Sequence, residues 1–258
     1  MTSIAEISIA DKSLIQLSAI IPVYNQERKI SILLAKVKEV LNSTSLNYEL
    51  VIVNDGSRDN TLEVLQKEEK LDSRVRVMSY PQNKGKGYAI KTGVMQTHGN
   101  VVLFVDGDLD ISPSLIIKYV KELENCDLVI ASKRHPLSKV NAPISRKVLS
   151  RIFNLVVRIA TGIKLKDTQS GLKAGNGDVL RTIFNVMLIT RYAFDVELLA
   201  IATALNLSIK EMPIEITLDR RFKFLDIVKM FIDVIVISYR FRVKQIMIIN
   251  NRTTMKKL

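Results

Sequence analysis

The 258-residue chain has a single cysteine, no tryptophan and two histidines. Cys126 alone cannot form an internal disulfide, which fits a reducing compartment. It precedes the apolar run "DLVIAS" and reads as a small buried residue rather than a nucleophile. His98 and His135 stand apart from each other and from the cysteine, so no zinc cluster is suggested. No stretch reaches the ~18 uncharged apolar residues that a spanning helix needs. The N-terminus "MTSIAEISIADKSLIQ" lacks the basic segment and long apolar run of a signal peptide. A cytoplasmic location is therefore expected.

What is present is an apolar and basic chain. Hydrophobic residues make up 47%, ample for a core, and the net charge of +12 asks for an anionic partner: nucleic acid, a lipid surface or a phosphorylated substrate. Four segments then repeat one scheme. "LSAIIPVY" (17–24), "YELVIV" (48–53), "VRVMSY" (75–80) and "VVLFV" (101–105) read as buried strands. Each leads through a turn into helical spacing, as at Ile30, Leu33, Leu34, Val37 and Leu41. Pro113 stands at a first-helical-position site after the fourth strand, and "DLVIAS" adds a fifth strand. The repeat predicts an α/β fold: a Rossmann-like, mostly parallel sheet with crossover helices. The acidic and glycine-rich motifs all fall on loops after strands, the rim where open α/β sheets bind ligands.

One such loop, "VDGDLDISP", carries Asp106, Asp108 and Asp110 at alternate positions. Mg²⁺ or Mn²⁺ takes oxygen ligands, commonly one or two carboxylates with phosphates and water completing the shell. Asp106 and Asp108 share a face in an extended backbone, and Gly107 leaves room for a ligand. Alone, the triplet reads more readily as a solvated acidic turn; its company reverses that. The loop "GKGYAIKTG" lacks the G-x-G-x-x-G spacing of a dinucleotide site, and no P-loop pattern occurs.

"IIPVYNQERKI", "ELVIVNDGSRDNT", "NKGKGYAIKTG" and "VDGDLDISP" stand in the order and spacing of family 2 glycosyltransferases with the GT-A fold. In the second half "VIASKR", "RKVLSRIFNLVVRIATG", "KDTQSGLKAG" and "YAFDVELLAIA" resemble the dolichyl-phosphate sugar synthases, with "DTQSGLK" and "FDVELL" most similar to dolichyl-phosphate glucosyltransferases. The resemblance implies a nucleotide-sugar donor, with UDP-glucose favoured over GDP-mannose, and a polyprenyl or dolichyl phosphate acceptor. It implies nucleotide-sugar contacts at Pro22, Tyr24, Asn25, Glu27, Asp55, Lys84, Lys86, Asp106 and Asp108, the two lysines being flexible point charges suited to a diphosphate. Metal ligation falls to Asp106, Asp108 and Asp110. Arg134, Arg146, Ser150 and Arg221 are implied at the acceptor phosphate, with Asp108, Arg134, Arg146 and Ser150 carrying the chemistry. Gln26 and Asn54 depart from acids common in the family, which leaves the choice of nucleotide open. Lys147, Arg151 and Arg158 read as solvating charges. A transferase acting on a polysaccharide or protein glycan is the alternative, although such polysaccharide synthases carry a QxxRW motif that a chain without tryptophan lacks. A basic binding module is the remaining one, and it leaves "DGD" and "DTQSGLK" unexplained, so nucleic acid is not an expected partner.

The C-terminal stretch after Arg221 places polar residues at helical intervals, leaving a wide apolar arc. Basic residues such as Arg240, Arg242 and Lys244 suit anionic headgroups, and Phe224, Phe231, Tyr239 and Phe241 suit the interface. Packing in the core or in a dimer competes with that reading. The expected layout is a tail over 1–16, a GT-A domain over 17–221 and C-terminal amphipathic helices over 222–258, peripheral on the cytoplasmic membrane face.

Overall fold

A computed structural model describes residues 15–107, 111–191, 193–218 and 224–250, with side chains of the last segment described from 227 to 241. Asp108, Asp110 and Arg221 lie outside the described residues, as do the Phe224, Arg242 and Lys244 side chains.

Strands β1 (Leu17–Val23), β2 (Tyr48–Asp55), β3 (Val75–Tyr80) and β4 (Val101–Phe104) pair in parallel in the order β3-β2-β1-β4. Successive strand residues point to opposite faces. Leu17, Ala19, Ile21 and Val23 accordingly enter one core, and Ile20 the other. Helices α1 (Ile30–Asn42), α2 (Thr61–Leu71) and α4 (Leu115–Glu122) cover the first face. Helices α3 (Lys86–Val94), α6 (Gly177–Val186) and α7 (Phe194–Ala204) cover the second. Both faces are thus sealed, which is why these strands read as unbroken apolar runs. Helix α4 starts two residues beyond Pro113, whose carbonyl accepts from the Ile116 N–H at 2.9 Å.

The seven-stranded sheet continues through β7 (Lys173–Asn176) to β5 (Leu128–Ser132) and β8 (Ile209–Pro213). β7 is antiparallel to both neighbours, a departure from the repeated scheme. Its direction matters for the site. The start of an antiparallel strand lies at the same rim as the ends of its parallel neighbours, so the "DTQSG" loop joins the loops after β1, β2, β4 and β5. Two short strands, β6 (Lys139–Asn141) and β9 (Glu215–Thr217), pair separately.

Helix α5 (Ile144–Thr161) ends at Gly162, whose φ of 75° is the left-handed stop that glycine tolerates. Helix α8 (Phe224–Asn250) packs against α5 and α7 around Phe153, Val157, Val196, Met230, Val234 and Ile237. The wide apolar arc of the C-terminal stretch therefore divides. Phe231 and Phe241 turn inward and are half-buried, whereas Tyr239 remains exposed. Among the described residues no helix is long and apolar enough to cross a membrane.

Candidate active site

The strand-end rim surrounds a cavity of 1320 Å³. Pro22, Tyr24, Asp55, Lys86 and Asp106 line its strand-end side, and Arg134, Arg146 and Ser150 line the side formed with α5. Eight of the residues singled out in the sequence therefore meet in one space. Asn25, Glu27 and Lys84 lie outside its walls.

Those three have other partners. Asn25 (φ 52°) receives the Arg58 N–H on its side-chain oxygen at 2.9 Å, and the Glu27 carboxylate receives the Asn60 N–H at 3.0 Å. Both side chains fasten the loop after β1 to the loop after β2. The Lys84 ammonium sits 4.5 Å from the Tyr88 ring centroid and 5.4 Å from that of Tyr80. Lys86, two residues on, faces the cavity and pairs with Asp106 Oδ1 at 2.5 Å.

Asp55 is buried and holds the glycine loop in shape. Its Oδ1 accepts from the Tyr80 hydroxyl and the Lys84 N–H, both at 2.8 Å, and its Oδ2 from the Gly85 N–H at 3.0 Å. Burial, with the Asp55 hydrogen bond next, raises the Tyr80 phenol well above its ordinary pKa, so it stays a donor.

Asp106 makes the closest approach in the site. A Cβ built on Gly171 would lie 1.7 Å from Asp106 Oδ2, so any side chain at position 171 would require this carboxylate to move. Behind the loop Lys173 Nζ pairs with Asp195 Oδ1 at 2.8 Å, with both side chains buried. Burial pulls the lysine pKa down and the aspartate pKa up, and the attraction of each for the other opposes both shifts. Asp195 also lines the cavity, while the Ser170 hydroxyl is buried without a hydrogen-bond partner among the described residues. Neither Lys173 nor Asp195 was singled out from the sequence, although both stand inside the motifs "KDTQSGLKAG" and "YAFDVELLAIA". An acid or a base inside a buried apolar element was the available signal.

On the opposite wall the Arg134 guanidinium donates to the Lys166 carbonyl at 2.6 Å and to the Ser150 carbonyl at 2.7 Å. It braces α5 against the loop ahead of β7. Burial lowers its pKa from the ordinary arginine value, with Asp167 opposing. Lys133 pairs with Asp167 at 2.8 Å; burial raises the Asp167 carboxyl, but the lysine charge and its hydrogen bonds outweigh that and hold it below the usual range. Arg146 and Ser150, one turn apart on α5, bring a guanidinium and a hydroxyl to the same wall.

For a divalent ion the described residues offer the Asp106 carboxylate beside Asp195, Gln169 and Ser170, a hard oxygen set that fits Mg²⁺ or Mn²⁺ better than a softer metal. No group of three or more acidic, histidine or cysteine side chains forms a metal cluster among the described residues. The cavity thus has carboxylates with paired lysines at the strand ends and a basic wall on α5, an arrangement suited to a diphosphate with its counter-ion at one end and an anionic second substrate at the other.

The fold is that of GT-A glycosyltransferases. The profile described as Glycosyl transferase family 2 matches residues 18–184, and the chain belongs to that family. It is 30% identical over 238 residues to a dolichyl-phosphate beta-glucosyltransferase of Trichomonas vaginalis, covering 86% of this chain and 71% of the relative. The enzyme of that name from Dictyostelium discoideum is 30% identical over 245 residues, covering 88% and 75%. Among solved structures, glucosyl-3-phosphoglycerate synthase of Mycobacterium tuberculosis in complex with Mn²⁺, UDP-glucose and phosphoglyceric acid superposes with a TM-score of 0.66 at 21% identity, covering 92% of this chain and 82% of that one. The GT-A architecture expected from the motifs is therefore the architecture present.

Proposed function

We propose that this glycosyltransferase moves glucose from UDP-glucose to a polyprenyl or dolichyl phosphate, with inversion at the anomeric carbon. The observation that carries the reading is the two-poled cavity, with Asp106 and Lys86 at the strand ends and Arg146 and Ser150 facing them from α5. Relatives named dolichyl-phosphate beta-glucosyltransferase over most of the chain support the acceptor and the sugar.

The reaction asks little acid–base work of the protein. A phosphate monoester is already anionic near neutral pH, its second pKa being about 6. One of its oxygens attacks the anomeric carbon as the bond from that carbon to the UDP oxygen breaks, and UDP leaves with the electron pair. The obstacle is repulsion between an anionic nucleophile and an anionic donor. Arg146 and Ser150 hold the acceptor phosphate, with Arg134 keeping α5 in place and Arg221 assigned to the same phosphate; Lys86 serves the diphosphate. Asp106, with Asp108 and Asp110, would hold a divalent ion, which would neutralise charge on the leaving diphosphate. The neighbour structures containing Mn²⁺ and UDP-glucose support that ion. Tyr24 and Pro22 contact the nucleoside, while Asp55, Asn25 and Glu27 shape its loops.

Residues 17–221 are assigned the transfer chemistry, with the segment from 222 onward on the cytoplasmic membrane surface. Donor screening tests the reading. UDP-glucose should be turned over in preference to other UDP- and GDP-sugars, and excess EDTA should stop the reaction. Preference for GDP-mannose would move the enzyme to the mannosyl branch, and undiminished turnover in EDTA would remove the metal.

A further inference from the structure

Arg191, on the loop between α6 and α7, lines the cavity with an exposed side chain. Among the described residues no hydrogen bond or ion pair engages its guanidinium. Its charge reaches Asp233 of α8, where burial raises the carboxyl and Arg191 opposes that rise.

The backbone that carries Arg191 is fastened to α3 and α7. From α3, the Tyr88 N–H donates to the Thr190 carbonyl and the Lys91 ammonium to the Met187 carbonyl, both at 2.8 Å. The buried Glu197 carboxylate of α7 accepts from the Leu188 N–H at 3.0 Å and the Ile189 N–H at 2.7 Å. Arg240 of α8 pairs with the other oxygen of Glu197. Gly85 (φ 100°) lets the two loops touch, since a Cβ there would lie 2.8 Å from the Thr190 carbonyl oxygen and 3.1 Å from Arg191 Cγ. A held backbone thus brings an uncommitted guanidinium to the cavity beside the glycine loop.

A diphosphate on that loop needs such a charge. The Lys84 and Gly85 N–H groups donate to Asp55 and the Tyr88 N–H to Thr190, so these amides are not available to an anion. Lys86 is already paired with Asp106. A diphosphate carries several negative charges, which one shared lysine does not neutralise. Arginine stays charged at neutral pH, and its planar fork of donors fits two phosphate oxygens at once. Position decides between the two anions proposed for the cavity. Arg191 lies against Gly85, next to Lys86 on the strand-end side, whereas Arg146 and Ser150 stand on the α5 wall.

We infer that Arg191 binds the diphosphate of the donor and completes, with Lys86, a two-cation clamp at the glycine loop. The inference rests on the nucleotide-sugar reading of the site. Binding of UDP by calorimetry and of uridine by saturation-transfer NMR, both to the full chain with Mg²⁺, tests it. Arg191→Ala should weaken UDP binding roughly 10- to 100-fold, the usual cost of losing a hydrogen bond to a charged group, and leave uridine binding at the wild-type level. Arg191→Lys keeps the charge without the fork and should fall between the two. Because the side chain is exposed, the melting curve of ligand-free Arg191→Ala should match the wild type, whereas the stabilisation given by UDP should shrink. Unchanged UDP affinity in Arg191→Ala overturns the inference. An equal loss of uridine binding overturns it too, by making the residue a prop of the loop. A raised acceptor KM with UDP affinity unchanged assigns the guanidinium to the acceptor phosphate instead. A wild type that binds neither UDP nor GDP removes the donor reading and this inference with it, whereas undiminished UDP binding by the variant removes Arg191 alone.

Discussion

Gly171 has no room for a side chain because the Asp106 carboxylate occupies the place where a Cβ would go. Gly171→Ala should displace Asp106, and a misplacement of about 1 Å at a reacting centre costs on the order of 100-fold. The measured loss is expected in kcat/KM, with a melting curve close to wild type, since the loop faces a cavity rather than the core. Near-normal turnover would mean that Asp106 has no positional role. Arg146 makes a different prediction. Removing a charged hydrogen bond to phosphate costs about 1.5–3 kcal/mol, roughly 10- to 100-fold. Arg146→Ala should raise the acceptor KM by that factor and leave UDP-glucose affinity unchanged in calorimetry. An equal loss of donor affinity would reassign it to the diphosphate.

Among the elements, α1 and α2 are tied together by charge as well as by their apolar faces. Asp72, at the end of α2, binds Arg74 Nε at 3.0 Å and the Lys38 ammonium of α1 at 3.4 Å. The Arg74 hydrogen bond, opposed by burial, holds the Asp72 carboxyl down to about 2. Its folded pKa lies below the unfolded value of about 3.9, so its contribution is complete above that value and disappears as pH falls towards about 2. Asp72→Asn should lower the melting temperature at neutral pH and flatten its decline between those two pH values. Parallel slopes in the two proteins would show that the pair contributes nothing.

The same scale shows what the sequence could carry. Strands sealed on both faces announce themselves, as "LVIV" in β2 does, because every position is apolar. β7 does not: its four residues "KAGN" offer no alternation and no β-branched residue, and the pairing that makes them a strand comes from β4 and β5. That Asp106, Arg146 and Lys86 share one cavity was legible because each sits on a loop or helix next to a recognisable motif. Spacing alone does not say which of the two lysines sits over the Tyr88 ring, as Lys84 does, and which lines the cavity, as Lys86 does. The Lys173–Asp195 pair joins two segments whose contact only the folded sheet creates. Likewise, the sequence places Arg146 and Ser150 on one helix face, but only the packing of α5 reveals that Ile144, Ile152 and Ile159 are left exposed.

For the whole molecule, the proposed transfer follows one route, from a water-soluble donor assigned to the strand-end side of the cavity to a lipid-phosphate acceptor assigned to its α5 wall. That route stands or falls on the transfer itself. The most direct measurement incubates the purified full chain with radiolabelled UDP-glucose, Mg²⁺ or Mn²⁺, and dolichyl phosphate in phosphatidylglycerol-containing vesicles, and follows label into the chloroform phase. A chloroform-soluble glucosyl phosphate, released as glucose by mild acid and absent without dolichyl phosphate, is the predicted result. Label that stays in the aqueous phase, or that enters the chloroform phase equally well without the lipid phosphate, would contradict the account.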